Sequence, residues 1–150
     1  MSDVDRFPEL SEGLYKPDFE LLDRYQTFSS EILRLSLLGI TAIGFLLSLD
    51  EKSIGQKRLA AVLSNPGLRH ILIASVILLG GASAFALVHR WVSSDSMYFQ
   101  LKIYRGSKNP EDARRRDRLF DISSWSILLA PFFLGLAVIT LGLAFLVALI

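Results

Sequence analysis

Residues 71–88 read ILIASVILLGGASAFALV, from Ile71 to Val88 without a charge or a proline, bracketed by Arg69 and His70 before and by His89, Arg90 and Trp91 after. As a helix, at about 1.5 Å per residue, the stretch is ~27 Å long, close to the hydrocarbon thickness of a bilayer. It predicts a transmembrane helix, and the chain offers a further apolar block on each side of it. Ser126–Ile150 is long enough to span with tilt, and Pro131 near its start is expected to kink it or loosen its first turns. Leu35–Leu49 is short for a span. It becomes adequate with Ile32 and Leu33, provided Arg34 snorkels to the headgroups or pairs with an acid. The expected spans are 32–49, 71–89 and 127–149.

Half of the 150 residues are hydrophobic, and they are gathered in these blocks with charged segments between, which is a membrane pattern. With no cysteine, disulfides, thiol catalysis and cysteine metal sites are all excluded. The opening MSDVDRFPEL is acidic and lacks the basic start and short apolar core of a signal peptide, so the mature chain is expected to begin there.

Residues 1–16 hold Pro8, Gly13 and scattered acids without periodicity and are expected to form a flexible arm; 17–150 would be one helical membrane domain. Lys16-Pro17-Asp18 has the chemistry of a helix start. Leu22, Tyr25, Phe28 or Ser29, and Ile32 then recur at helical spacing, and no breaker follows before Leu49. One helix from Pro17 to Leu49 is expected, its first half in water. Between the first two spans, Ile54, Leu59, Val62 and Leu63 suit either a short surface helix or a plain loop, and Asn65-Pro66-Gly67 a turn. Past Trp91 the middle helix should continue with Tyr98, Leu101 and Tyr104 as its stripe and stop at Gly106. Asn109 and Pro110 should cap and start the last helix, carrying Leu119, Ile122 and Trp125.

The fold class expected is therefore an all-α membrane protein of three transmembrane helices. The first two and the third extend into a cytoplasmic helical bundle that includes a hairpin over 92–125. Residues 1–34 carry four Lys/Arg and eight Asp/Glu, and residues 90–125 carry eight and five. With three spans these two regions share a face, whose twelve basic residues outnumber the four of 50–69. The positive-inside rule then puts the N-terminus in the cytoplasm and the C-terminus outside, with a bacterial inner membrane as the expected location. Trp91 and Trp125 fall at the same interface. The acidic segment 17–31 and the basic hairpin are expected to pack by charge and by their apolar stripes.

Gly80 and Gly81 with Ala84, Gly39 and Gly44, and Gly135 and Gly142 supply small residues where helix backbones could approach, within one subunit or between copies. Arg114, Arg115, Arg116 and Arg118 could meet anionic lipid or a protein partner; phosphate ligands are a weaker alternative, and no nucleic acid is expected. His70 and His89 flank the middle span about 28 Å apart and cannot share a metal within a subunit. Asp95 near His89 allows a proton relay, but interfacial anchoring explains both histidines more simply. No Ser/His/Asp set, glycine-rich phosphate loop or metal cluster is present, and the spans hold no ionisable residue between Leu35 and Leu49, Ile71 and Val88, or Ile127 and Ile150. No cofactor is expected.

These features predict a non-enzymatic, self-associating membrane bundle with a cytoplasmic docking or sensing surface. An oligomeric pore or membrane-perturbing effector is the alternative, and a lipid-acting enzyme ranks third. The layout of a few spans with helical cytoplasmic extensions resembles the SLATT-type membrane effector modules of bacterial conflict systems. The likeness is one of arrangement, those modules being described with two spans, and it implies no activity or residue for this chain. Tags at Met1 and Ser107 should be labelled from the same side of sealed vesicles, and alkaline carbonate should leave the protein in the membrane. Labelling from opposite sides would contradict the three-span reading.

Overall fold

A computed structural model describes residues 12–48 and 64–149. Three helices account for nearly all of them: α1 over Glu12–Ser48, α2 over Pro66–Tyr104 and α3 over Pro110–Leu149. Each is long and apolar enough to cross a membrane. In their most apolar windows only 22%, 33% and 17% of residues are buried inside the molecule, so most of that surface faces outward, as lipid requires.

The helix ends follow local chemistry. Asn65 caps α2, its Oδ1 accepting from the backbone N–H of Gly67 at 3.0 Å and of Leu68 at 3.4 Å, so the Asn-Pro-Gly triplet begins a helix instead of forming a free turn. Gly106 takes φ +90° where α2 ends, a conformation that costs a side-chain-bearing residue steric strain. Asn109 Oδ1 then accepts from Glu111 N at 3.0 Å and opens α3 as expected. One expectation needs correcting. α1 starts at Glu12, so 12–16 are helical and not part of an arm, and Pro17 lies inside the helix, where it has no N–H to donate. α3 is helical through Pro131. Residues 1–11 of the arm and the segment 49–63 between the first spans lie outside the described residues.

α2 and α3 pair antiparallel, with contacts from Lys102–Asp112 through His89–Ser123 to Ser75–Thr140. α1 lies antiparallel against α2, through Gln26–Ser93 and Gly39–Leu79, and touches α3 least. The start of α1, the end of α2 and the start of α3 therefore meet at one end of the bundle.

The buried positions share a period. On α2 a row of them, Leu68, Leu72, Ser75, Leu79, Ala82, Ala86, His89, Val92 or Ser93, and Ser96, alternates four and three residues apart, with Ser83 buried beside it. On α1 Ser29, Ile32, Ser36 and Ile43 follow the same rhythm, and on α3 Ser123, Ala130, Ala137 and Ala144 fall every seven residues. A seven-residue repeat keeps one seam of a helix facing its neighbour, as in left-handed coiled coils. Most of these side chains are small, which lets the backbones approach where lipid offers no hydrophobic drive for association. The buried hydroxyls bond their own helix: Ser36 donates to Ile32 O at 2.7 Å and Ser83 to Leu79 O at 3.0 Å. Ser75 and Thr140 also meet across the α2–α3 seam at 2.8 Å.

Ala130 is fully buried beside Ile32, Ala82 and Ala86. Ala130→Leu should lower stability by about 1–3 kcal/mol through overpacking. Leu128→Ala, at a position 64% exposed, should change it by less than about 0.5 kcal/mol. Denaturant titration of both variants in one detergent checks the contrast; equal losses would contradict the seam.

Candidate functional site: a cavity at the polar end of the bundle

Where the three helices leave their apolar blocks they line a partly open cavity of about 310 Å³. α1 contributes Asp18, Leu22 and Tyr25 to its wall. α2 contributes His89, Ser93, Ser96, Met97 and Gln100, the continuation of its buried seam. From α3 come Arg116, Phe120 and Ser123. The volume is at the small end of the range for small-molecule sites.

Side-chain bonds between helices frame this cavity. Gln26 Nε2 donates to Ser93 Oγ at 2.7 Å and to Arg90 O at 3.0 Å, and Arg90 reaches back to Ser30. Tyr104 donates its hydroxyl to Asp18 Oδ2 at 2.7 Å. His89 sits between α2 and α3, only 3% exposed. Its Nδ1 lies 3.1 Å from Ser123 O and 3.0 Å from Ser123 Oγ. The Ser123 carbonyl can only accept and bonds the ring when Nδ1 carries the hydrogen, whereas the Ser123 hydroxyl can donate to a bare Nδ1. Nε2 is buried and has no hydrogen-bond partner among the described residues, and the Tyr25 ring meets the imidazole edge to face at 6.3 Å. Asp95 is exposed and stands apart from this arrangement, so His89 answers to Ser123 and not to a carboxylate.

The arginine run divides by position. Arg116 is held by Asp117, with Nε at 2.8 Å and Nη2 at 2.6 Å from Oδ1, and its Nη1 donates to Gln100 Oε1 at 3.0 Å. Arg115 lies over the Phe99 ring at 6.0 Å, and Arg114 and Arg118 are exposed. Among the described residues no ion pair joins the acidic segment of α1 to the hairpin. The two meet through Asp18–Tyr104 and Gln26–Ser93 instead, so hydrogen bonds to hydroxyl and amide groups take the role expected of paired charges. Arg34 pairs with Glu31 at 3.9 Å, one of the two arrangements its position allowed.

The glycines separate as well. A side chain at Gly39 would meet Leu79 and one at Gly81 would meet Phe133, so both are close-contact points inside the subunit. Gly44, Gly80, Gly135 and Gly142 have open space beside them, and Ala84 is exposed. His70 is exposed near the opposite end, its Nδ1 2.6 Å from Pro66 O. Among the described residues no group of three His, Asp or Glu side chains is placed to hold a metal ion. Comparison with protein-family models, curated proteins and solved structures finds no match.

Asp112, at the hairpin turn, accepts from Ser107 Oγ at 2.6 Å and from Lys102 Nζ at 2.9 Å. These bonds, Ser107's first, hold its carboxyl below the usual aspartate range. A carboxyl whose folded value is depressed stabilises the fold above its unfolded value, and that contribution disappears as pH falls through the folded value. Amide exchange at the hairpin, corrected for intrinsic rates, should therefore be steady from neutrality to about pH 5 and accelerate below about pH 4. Asp112→Asn should remove that step; an unchanged step would assign it to another group.

Proposed function

We propose that this is a non-enzymatic integral membrane protein whose three-helix bundle self-associates in lipid and whose polar end is a cytoplasmic docking or sensing surface. The observation that carries the reading is the cavity at that end, to which all three helices contribute, with His89 in its wall and a buried Nε2 that has no partner among the described residues. A group buried without a partner costs stability, and such a cost is commonly met where a ligand or a neighbour supplies the missing bond. Basic residues on the hairpin favour the cytoplasmic side by the positive-inside rule, and Arg114 and Arg118 are free to meet anionic headgroups or an acidic partner.

Self-association is supported by the open faces at Gly44, Gly80, Gly135 and Gly142, where a second helix could come as close as Gly39 and Gly81 allow within the subunit. The same faces favour the second reading, an oligomeric pore. Its lining would have to come from between copies, since the seam of one subunit is filled by Ala82, Ala86, Ala130 and Ala137.

Copy number per nanodisc should exceed one for the natural sequence. It should fall when Gly80 and Gly135 are both replaced by Ile, while stability of the single subunit changes little. A protein that is monomeric at all lipid ratios would remove both self-association and the pore. If it is oligomeric, release of trapped dye from liposomes favours the pore, and tight vesicles favour the docking bundle.

A further inference from the structure

The cavity is layered along the helix axes. Its charged wall residues, Asp18, Arg116 and Asp117, all belong to the outer layer, with Gln100. Arg116 is held there by Asp117 and Gln100, and Asp18 accepts from Tyr104. Three or four residues closer to the spans, about 5–6 Å at the helical rise, the wall turns apolar with Leu22, Met97 and Phe120, beside Leu21 and Tyr25. At the inner end Ser93 bonds Gln26 and Arg90 O, and Ser123 bonds His89, so their hydroxyls are taken. Ser96 is held more loosely: its contact with Arg116 O is 3.5 Å, long for an O–H···O bond.

The apolar layer is open at its side. Leu21, Tyr25 and Phe120 are exposed, and α1 touches α3 least, so the mouth lies between those two helices. Tyr25 and Phe120 each stand seven residues, about 10 Å, before the expected starts of their spans at 32 and 127, and Ser123 stands about 6 Å before its own. The interfacial layer is roughly 5–7 Å deep on each side of a bilayer, so the inner end of the cavity lies within it and the mouth borders on it.

We propose that this cavity binds a small uncharged aromatic molecule with a single hydroxyl or N–H group, taken up from the interfacial layer. The ring would lie against Tyr25, Met97 and Phe120, and its polar group would meet the Ser96 hydroxyl. Such molecules collect at the membrane interface for the same reason that tryptophan and tyrosine do. An anion would face a wall with one cation against two acids. A cation would find the wall's one acid without a basic partner, Asp18, in the outer layer and away from the apolar surface. A phospholipid tail would have to climb out of hydrocarbon to reach the mouth. The proposal rests on the sensing role of the polar end and names the chemistry sensed.

The test uses the full chain in nanodiscs of phosphatidylcholine with 2-naphthol at pH 7 as fluorescent probe and empty discs as the blank for partitioning. Saturable binding is expected, at least tenfold tighter than that of 2-naphthoate and at least as tight as that of 2-naphthylmethylamine. Ser96→Phe, which fills the apolar layer, should abolish it. Phe120→Ala should weaken it at least fivefold, and Phe132→Ala, an exposed ring in the apolar block, should leave it unchanged. Should Ser96→Phe fail to fold, Phe120→Ala decides alone, since its side chain is exposed. Uptake no greater than by empty discs, equal binding of the carboxylate, tighter binding of the amine, or full affinity in the folded Phe120→Ala protein would overturn the proposal. So would a phospholipid that stays with the purified protein in native mass spectra and is lost on Phe120→Ala, which would give the cavity to a lipid tail. Copy number per disc is measured separately, so failure here leaves self-association standing, and discs holding one copy test the site if self-association fails.

Discussion

Close backbone approach along a seven-residue repeat of small side chains is the constraint on which the rest of the structure depends. In lipid, one apolar surface gains little by leaving hydrocarbon for another, so association has to come from packing at short range. Ala82 and Ala86 on α2, with Ala130 and Ala137 on α3, are fully buried. Larger neighbours such as Leu79 and Phe133 then lie against Gly39 and Gly81. Serine fits the same seam because its hydroxyl can bond a carbonyl one turn back and leave nothing polar unsatisfied, as Ser36, Ser83 and Ser126 do.

The seam does not stop where the apolar blocks end. On α2 the rhythm passes from Ala86 to His89, Ser93 and Ser96, and on α3 it passes back from Ala130 to Ser123. Side-chain chemistry changes there while the spacing does not. In the apolar half the small residues close the gap between helices. In the polar half the facing positions carry groups that reach across it, Gln26 to Ser93 and His89 to Ser123. The cavity occupies the space those bridges leave.

Much of this was legible in the sequence. The three apolar blocks, the end of α2 at Gly106 and the start of α3 at Asn109-Pro110 follow from length, charge and capping chemistry alone. The facing of the helices was harder to see. Tyr25, Phe28, Tyr98, Ile122 and Trp125 form convincing apolar stripes, yet each is 40% or more exposed. A stripe marks a buried face only where the opposite face is polar and wet; near a bilayer, large apolar groups are stable pointing outward. The signal that identifies the seam is the recurrence of Ala and Ser at alternating three and four, and it includes Ser93 and Ser96, which as a polar run suggest only an exit from the membrane. The hydrogen bonds between α1 and the hairpin depend on tertiary geometry that net charge does not encode.

Continuity of the seam also ties the two halves together mechanically. α2 is one helix from Pro66 to Tyr104, with no proline or 3₁₀ turn between its apolar and polar parts to absorb bending. Ser93 and His89 therefore lie on the same unbroken row of positions as Ala86 and Ala82. There the packing has little slack, since Ala130 and Ala137 are already in full contact. Closely packed interfaces respond to displacement by shifting between discrete arrangements more readily than by stretching.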